Sequence, residues 1–186
     1  ASLVEGKRSA NANKMIVQLS NFLRYSLEND PIQRVTLAQE LAALRLYLNI
    51  EQTRFGERLK LNFDVEEAAV DVRVPSLLLQ PLVENSIKYA IAPMEKGGEI
   101  SILAKLDGDN LVVEVSDSGP GVVMPNNDKT AGVGIGLKNT IDRLDTFYGD
   151  QYIFQLGNSE LGGLRICIRL PLEEHSADNR ASLDYS

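Results

Sequence analysis

Gln80-Pro81-Leu82-Val83-Glu84-Asn85-Ser86-Ile87-Lys88-Tyr89 is the stretch on which the reading of this chain turns. Leu82, Val83, Ser86, Ile87 and Ala90 fall on one side of a helix. The opposite side then carries Glu84, Asn85 and Lys88, with Tyr89 beside Asn85. Carboxylate and amide oxygens are ligands for a hard cation such as Mg²⁺, and an ammonium meets phosphate charge. That combination within a turn and a half suits a metal–triphosphate. The plain alternative is a solvated face with a Glu84–Lys88 pair at i, i+4, which stabilises a helix by only about 0.2–0.5 kcal/mol. Taken alone the decapeptide favours the plain alternative, and two glycine stretches downstream reverse it.

The first is Asp117-Ser118-Gly119-Pro120-Gly121, just after a strand pattern over 111–115. An Asp at a strand end can accept a hydrogen bond from an exocyclic amine and so read a purine edge. The glycines let the backbone approach a ligand without a Cβ clash. Alone, this motif is also an ordinary surface turn. The second stretch is Gly132-Val133-Gly134-Ile135-Gly136-Leu137-Lys138-Asn139. It frees backbone N–H groups immediately before a helix, whose N-terminus favours an anion. A dinucleotide fingerprint would need Gly-x-Gly-x-x-Gly directly after a strand. Here the spacing is Gly-x-Gly-x-Gly after loop-like residues Pro125 to Thr130, and the Walker lysine spacing is missing. Both standard nucleotide folds are disfavoured. The polar, Gly-rich passage from Asp117 to Gly134 reads as a lid over a site.

Outward from these motifs the chain divides into three parts. Residues 9–28 read as an amphipathic helix with Ile16, Leu19, Leu23 and Ser26 in line, broken at Asn29-Asp30-Pro31. Thr36 opens a second helix with a capping-box pattern to Gln39, and its stripe is Leu37, Leu41, Leu44 and Leu48, running on to about Phe55. The short connection makes the two antiparallel neighbours. So small a pair needs a second copy to cover its stripes, which predicts a helical hairpin dimerisation unit over 1–58. Alternation predicts strands over 59–65, 70–74, 99–106, 110–116, 152–156 and 164–170, with a hairpin turn at Asp107-Gly108-Asp109. Helices are predicted from Pro75 onward, kinked or started late by Pro81, and over 135–148. Residues 59–172 thus form one domain, and 173–186, poor in apolar residues, read as a disordered tail. The fold class is α+β: an antiparallel-rich sheet with helices on one face.

Composition narrows the function classes. With 186 residues, net charge −7 and no long Lys/Arg tract, the chain lacks the means to neutralise nucleic-acid phosphates broadly. A local phosphate site stays open. The single Cys167 lies in an alternating apolar stretch and reads as an inert strand residue in a reducing compartment. No apolar run approaches the roughly 18 residues of a membrane helix. The chain begins at Ala1 in mid-pattern and reads as a piece of something longer.

Taken together and in this order, the motifs resemble the ATP-binding domain shared by histidine kinases, Hsp90, gyrase B and MutL. The resemblance narrows through Leu23-Arg24-Tyr25-Ser26-Leu27, Tyr47-Leu48-x-Ile50-Glu51-Gln52-x-Arg54-Phe55-Gly56, Leu79 to Asn85, and Asn139-Thr140-x-x-Arg143-Leu144-x-x-x-Tyr148-Gly149. These look like the LytS-type sensor histidine kinases, over about residues 10–172. The resemblance implies a Bergerat-type sandwich after the helical hairpin, with a mixed, mostly antiparallel sheet. It implies that Asn85 holds Mg²⁺ with Glu84 as a second candidate, and that Glu84 and Asn85 are the catalytic pair. Lys88 and Tyr89 would touch phosphates, Asp117 with Gly119 and Gly121 would take the adenine amine, and Gly132, Gly134, Gly136 and Leu137 would close over the phosphates. ATP and Mg²⁺ are the implied cofactors. A response regulator and a second copy are the implied partners. The implied location is the cytoplasmic side of a membrane-anchored bacterial sensor kinase, with the membrane part upstream.

The chain departs from that family in one place that bears on activity. The family's acceptor histidine sits in a Pro-His-Phe-Leu-Phe-Asn segment before the Leu-Arg-Tyr region. No such segment is present, and the one histidine, His175, falls in the predicted tail. The chain is therefore expected to bind ATP without phosphorylating itself on that histidine. Leu164 stands where the family more often has Thr. A water-activating clamp ATPase of the Hsp90 or MutL kind is disfavoured because its Glu would fall at Pro81, which cannot act as a base. The remaining rival is a catalytically silent nucleotide-binding scaffold of the same fold.

Overall fold

The computed structural model describes residues 33–121 and 135–172. The first helix of the proposed hairpin, Gly132, Gly134 and the lid, and the tail with His175 lie outside the described residues. The chain opens with a short strand β1 (Arg34–Thr36) and a long helix α1 (Leu37–Phe55). Thr36 caps α1 as its pattern predicts: its Oγ1 accepts from the Gln39 N–H and the Gln39 side chain accepts from the Thr36 N–H. Strand β2 (Leu59–Val65) follows, then a single 3₁₀ turn at Glu67–Ala69 and a short strand β3 (Arg73–Pro75). Only the last part of the alternating 70–74 segment is therefore strand. Helix α2 (Gln80–Ser86) starts with Pro81 in its first turn, where a missing N–H costs nothing. Pro81 marks a late start and not a kink.

The remaining elements are β4 (Gly98–Asp107), β5 (Asn110–Asp117), α3 (Ile135–Tyr148), β6 (Ile153–Asn158) and β7 (Leu164–Pro171). Five strands form one sheet in the order β2-β4-β5-β7-β6. β2 and β4 are parallel, joined by a crossover that contains α2, and every other neighbour is antiparallel. The mixed, mostly antiparallel sheet is the predicted one. Ile100, Ile102, Leu111, Val113, Val115, Ile166 and Ile168 are buried at every second position and meet the helices in one core. The other face carries Glu114 paired with Arg165 at 2.6 Å, Arg169 paired with Asp107, and the half-buried Cys167. Among the described residues, helices therefore cover one face only.

One part of this core reaches across the expected domain boundary. The sequence reading set α1 in a separate hairpin ending at Arg58, with its stripe waiting for a second copy. In the structure Leu37, Leu41, Leu44, Leu48 and Phe55 are buried in the same core as the sheet. The first N–H groups of α1, at Leu37 and Ala38, donate to the Val72 and Val70 carbonyls at 2.8 Å. β1 pairs with β3, Val35 opposite Val74. An amphipathic stripe states that a helix has a partner but does not name it, and here the partner is the sheet domain.

Candidate functional site

Every described residue of the expected site lies on or beside α2, the β5 end and the start of α3. Leu82, Val83 and Ser86 face inward and are buried, whereas Glu84 is exposed and Asn85 half-buried. The helix does not continue as a plain α-helix. Ile87–Ile91 forms a wide π turn, closed by the Ala92 N–H donating to the Ile87 carbonyl at 2.9 Å. Such turns are frequent at functional sites because the extra residue re-aims side chains. Lys88 and Tyr89 lie in it, both exposed, with the Lys88 ammonium 4.9 Å from the Tyr89 ring centroid. The same turn presents Ala90 to Gly119, so closely that a Cβ on Gly119 would stand 2.5 Å from that of Ala90.

An open cleft of about 370 Å³ runs along this face of α2. Pro81, Glu84, Asn85, Lys88 and Tyr89 line one wall, and Gly136 and Leu137 of α3 line the other. Glu84 does not form the i, i+4 pair with Lys88 that a merely solvated face would favour. Its Oε1 accepts from the Gln80 side-chain amide at 2.6 Å. Tyr47 of α1 is close by: burial first, then the Glu51 and Glu84 carboxylates, push its phenol well above the ordinary range. Lys88 brings a cation, Glu84 and Asn85 bring oxygens, and the beginning of α3 brings backbone and an apolar rim.

Asp117 forms the second half of the site, at 3% exposure. Its Oδ1 accepts the Gly119 N–H and the Leu164 N–H, both at 3.0 Å, and its Oδ2 accepts the Ser86 hydroxyl at 2.9 Å. A carboxylate offers roughly four acceptor positions, so the arrangement leaves one on Oδ2 for an exocyclic amine. The backbone around it is equally fixed. The Gly163 N–H donates to the Asp117 carbonyl, and Ser118 exchanges two hydrogen bonds with Glu99. A Cβ on Gly163 would overlap Asp117 Oδ1. Gly121, at φ +73, turns the chain back beside the Gly162 and Gly163 carbonyls.

Two contributors escaped the sequence reading. Ser86 counted there as one of the inward, apolar-side residues, which states its burial but not that it meets a carboxylate. Gly163 belongs to none of the motifs read from the sequence. Leu164, the departure from the family's Thr, supplies its contact through the backbone, which any residue except proline would also supply. Among the described residues no group of three His, Cys, Asp or Glu side chains clusters as a self-sufficient metal site. The donor set of Asn85 and Glu84 instead fits Mg²⁺, which keeps several waters and completes its shell with substrate phosphates. Among the described residues no helix is long and apolar enough to cross a membrane.

Comparison with known proteins bears on the family and the fold. Residues 70–174 match the model of the histidine kinase-, DNA gyrase B- and HSP90-like ATPases, and residues 1–59 match that of histidine kinases. The chain is 32% identical to the sensor protein LytS of Enterococcus faecalis, over 94% of the chain and 31% of that protein. It is 33% identical to the sensor histidine kinase YesM of Bacillus subtilis, over 91% of the chain and 29% of that protein. It thus spans less than a third of the length of these relatives. The catalytic domain of the histidine kinase ThkA superposes with a TM-score of 0.56 at 19% identity, covering 75% of this chain and 95% of that one. The Acinetobacter baumannii histidine kinase AdeS gives 0.57 at 14%, covering 86% and 77%. At such identities the superpositions speak for the fold alone.

Proposed function

This chain belongs to the histidine kinase-, DNA gyrase B- and HSP90-like ATPases, and on that premise we propose that it is the ATP-binding catalytic portion of a two-component sensor histidine kinase. In this reading the γ-phosphoryl group of ATP passes to a histidine located upstream of these residues, and from there to an aspartate of a response regulator. The observation that carries the proposal is the double use of α2. Ser86 steadies the carboxylate that reads the base, while its neighbour Asn85 lines the cleft that takes the phosphates. One helix therefore fixes the distance between the two ends of a nucleotide.

Phosphoryl transfer asks a protein for positioning and charge neutralisation more than for covalent chemistry. Asp117 accepts the adenine amine through Oδ2. Lys88 and Tyr89 hold phosphate oxygens at the π turn, and Gly132, Gly134, Gly136 and Leu137 close the opposite side. Asn85, with Glu84 as a second oxygen donor, holds Mg²⁺, which when bound neutralises charge building on the transferred group and on the departing ADP. The acceptor imidazole nitrogen forms the new P–N bond as the bond from the γ-phosphorus to the ADP oxygen breaks. We place the chain on the cytoplasmic side of a membrane-anchored sensor, as a homodimer formed through the helical hairpin of residues 1–58.

Calorimetric titration of this chain with ATP, with and without Mg²⁺, tests the reading. Saturable binding strengthened by Mg²⁺ is expected, and Asn85→Ala should lose that Mg²⁺ dependence and about tenfold in affinity. An unchanged Mg²⁺ dependence in the variant would remove Asn85 from the cation. Tight binding without histidine phosphorylation in the full-length protein would leave the silent scaffold as the function.

A further inference from the structure

Arg143 belongs to the family-like segment 139–149, yet it takes no part in the chemistry above. It lies on α3, two turns beyond the Gly136 and Leu137 wall of the cleft. Its guanidinium reaches back under the opposite wall: Nη1 donates to the Ser76 carbonyl at 2.5 Å and to the Leu77 carbonyl at 3.0 Å. These residues form the turn that leads into α2. The other side of the turn is held by Glu40 of α1, which at 2% exposure accepts the Leu77 N–H at 2.6 Å and the Leu79 N–H at 3.2 Å.

The turn so gripped is strained. Leu77 sits at φ +58, the one non-glycine residue with positive φ among those described. A left-handed leucine persists only where its surroundings over-determine it. Ser76 adds a buried hydroxyl without a hydrogen-bond partner. Burial raises the Glu40 carboxyl and lowers the Arg143 guanidinium, and the attraction between them works against both shifts. A buried acid and a half-buried base on one turn are a poor source of stability compared with apolar packing, and their value lies in placement. The two walls of the cleft are α2 and α3, and this is a charged strut between them.

We propose that Arg143 and Glu40 are positioning residues that set the width of the phosphate cleft. They hold the strained 76–79 turn so that Asn85 and Lys88 on α2 stand at the working distance from Gly136 and Leu137 on α3. The inference rests on the nucleotide reading of the cleft and adds the residues that make its two walls one site. Asp117 lies on β5 and takes two of its three hydrogen bonds from the loops at Gly119 and Leu164, away from the strut, and only the third from Ser86 on α2. Base recognition and phosphate recognition should therefore separate when the strut is cut.

The test is titration of the chain and of its Arg143→Lys and Arg143→Met variants with Mg²⁺–ATP, Mg²⁺–ADP and adenosine. Each variant is first shown to be folded by its thermal transition. Arg143→Met should lose about tenfold in affinity for both phosphorylated ligands, the worth of one misplaced charge-assisted hydrogen bond. Adenosine affinity should fall much less in the same variant, because two of the three hydrogen bonds that hold Asp117 come from the Gly119 and Leu164 loops and only the Ser86 one comes from α2. Arg143→Lys keeps the charge but not the fork, and should show the same selective loss to a smaller degree; it carries the test if the Met variant does not fold. Equal loss for all three ligands, or no loss, would overturn the proposal. A parent chain that binds no nucleotide would instead remove the nucleotide reading on which the strut rests, and the parent titration alone distinguishes the two failures.

Discussion

The two ends of the site are built in opposite ways. At the base end, Asp117 is buried and three of its acceptor positions are filled by Gly119, Leu164 and Ser86. Glycines stand where a Cβ would break the contact. At the phosphate end, Tyr89 is 52% exposed, Glu84 and Lys88 are exposed, and the cleft between α2 and α3 is open. One end is fixed by backbone before any ligand arrives. The other presents long side chains whose order must come from the ligand. Preorganised dipoles give selectivity, whereas flexible charged side chains give attraction at an entropic cost. On the proposed nucleotide reading, the base end decides which nucleotide binds and the phosphate end decides what happens to it.

The most damaging way to probe that division is Asp117→Asn. The new carboxamide can keep its oxygen toward the Gly119 and Leu164 N–H groups, so the loop survives. Its NH₂ then faces the purine amine, donor against donor. ATP affinity should fall about a hundredfold, as expected when a site built for one hydrogen-bond pattern is offered another. GTP affinity should be poor in the parent and should change much less. Competition titrations with both nucleotides decide the matter, and equal loss for ATP and GTP would take the adenine role away from Asp117.

A second probe makes one substitution at both ends. Gly163→Ala drives a Cβ into Asp117 Oδ1 and into the Gly119 backbone, so the loops must shift. We expect about 1–3 kcal/mol of lost stability, the usual cost of overpacking, and weaker ATP binding with it. Among the described residues, a Cβ at Gly136 meets only the Pro81 Cβ at 3.7 Å, an ordinary contact. At a helical position that substitution should be neutral or stabilise by up to about 1 kcal/mol. Denaturant midpoints of the two variants would show whether rigidity is confined to the base end. Similar losses in both would mean that the phosphate end is as tightly built.

The same contrast explains what the sequence disclosed. The face of α2, the Asp117 motif, the capping box at Thr36 and the α3 helix were legible because each is a short-range pattern with a local cause. Period, cap and turn residues act within a few positions. What stayed hidden depends on distant partners. β1 is only Arg34–Thr36 and exists because Arg73–Pro75 lies opposite. The stripe of α1 suited a second copy as well as it suits the sheet. Ser86 at an inward position announces burial but not the carboxylate it meets, and no composition marks the π turn at Ile87–Ile91. Glu40 stands in the first turn of α1, and no local pattern marks it as buried. Its burial follows from a turn 37 residues away, at Leu77.

Glu40 provides the smallest and sharpest test, because it is a second buried carboxylate held by backbone N–H groups, this one behind the phosphate wall. Desolvation dominates its balance, and the Leu79 and Leu77 N–H groups and the Arg143 charge offset only part of it, so its pKa is raised from 4.5. The folded chain then holds a proton on Glu40 more tightly than the unfolded chain does. Stability contributed by that proton is fully present below about 4.5, the unfolded value, and is lost as pH rises through the raised folded value. Other carboxylates titrate in the same range, so the parent must be set against Glu40→Gln, which keeps the shape and cannot titrate. The stability of the parent relative to the variant should decline with rising pH in that window, by no more than about 1.4 kcal/mol per pH unit, the limit for one proton. Urea denaturation at a series of pH values measures the difference directly. Parallel curves would mean that Glu40 is solvated well enough to behave as an ordinary acid. The phosphate wall would then rest on a looser turn than the hydrogen bonds at Leu77 and Leu79 indicate, and the contrast between the two ends would extend into their supports.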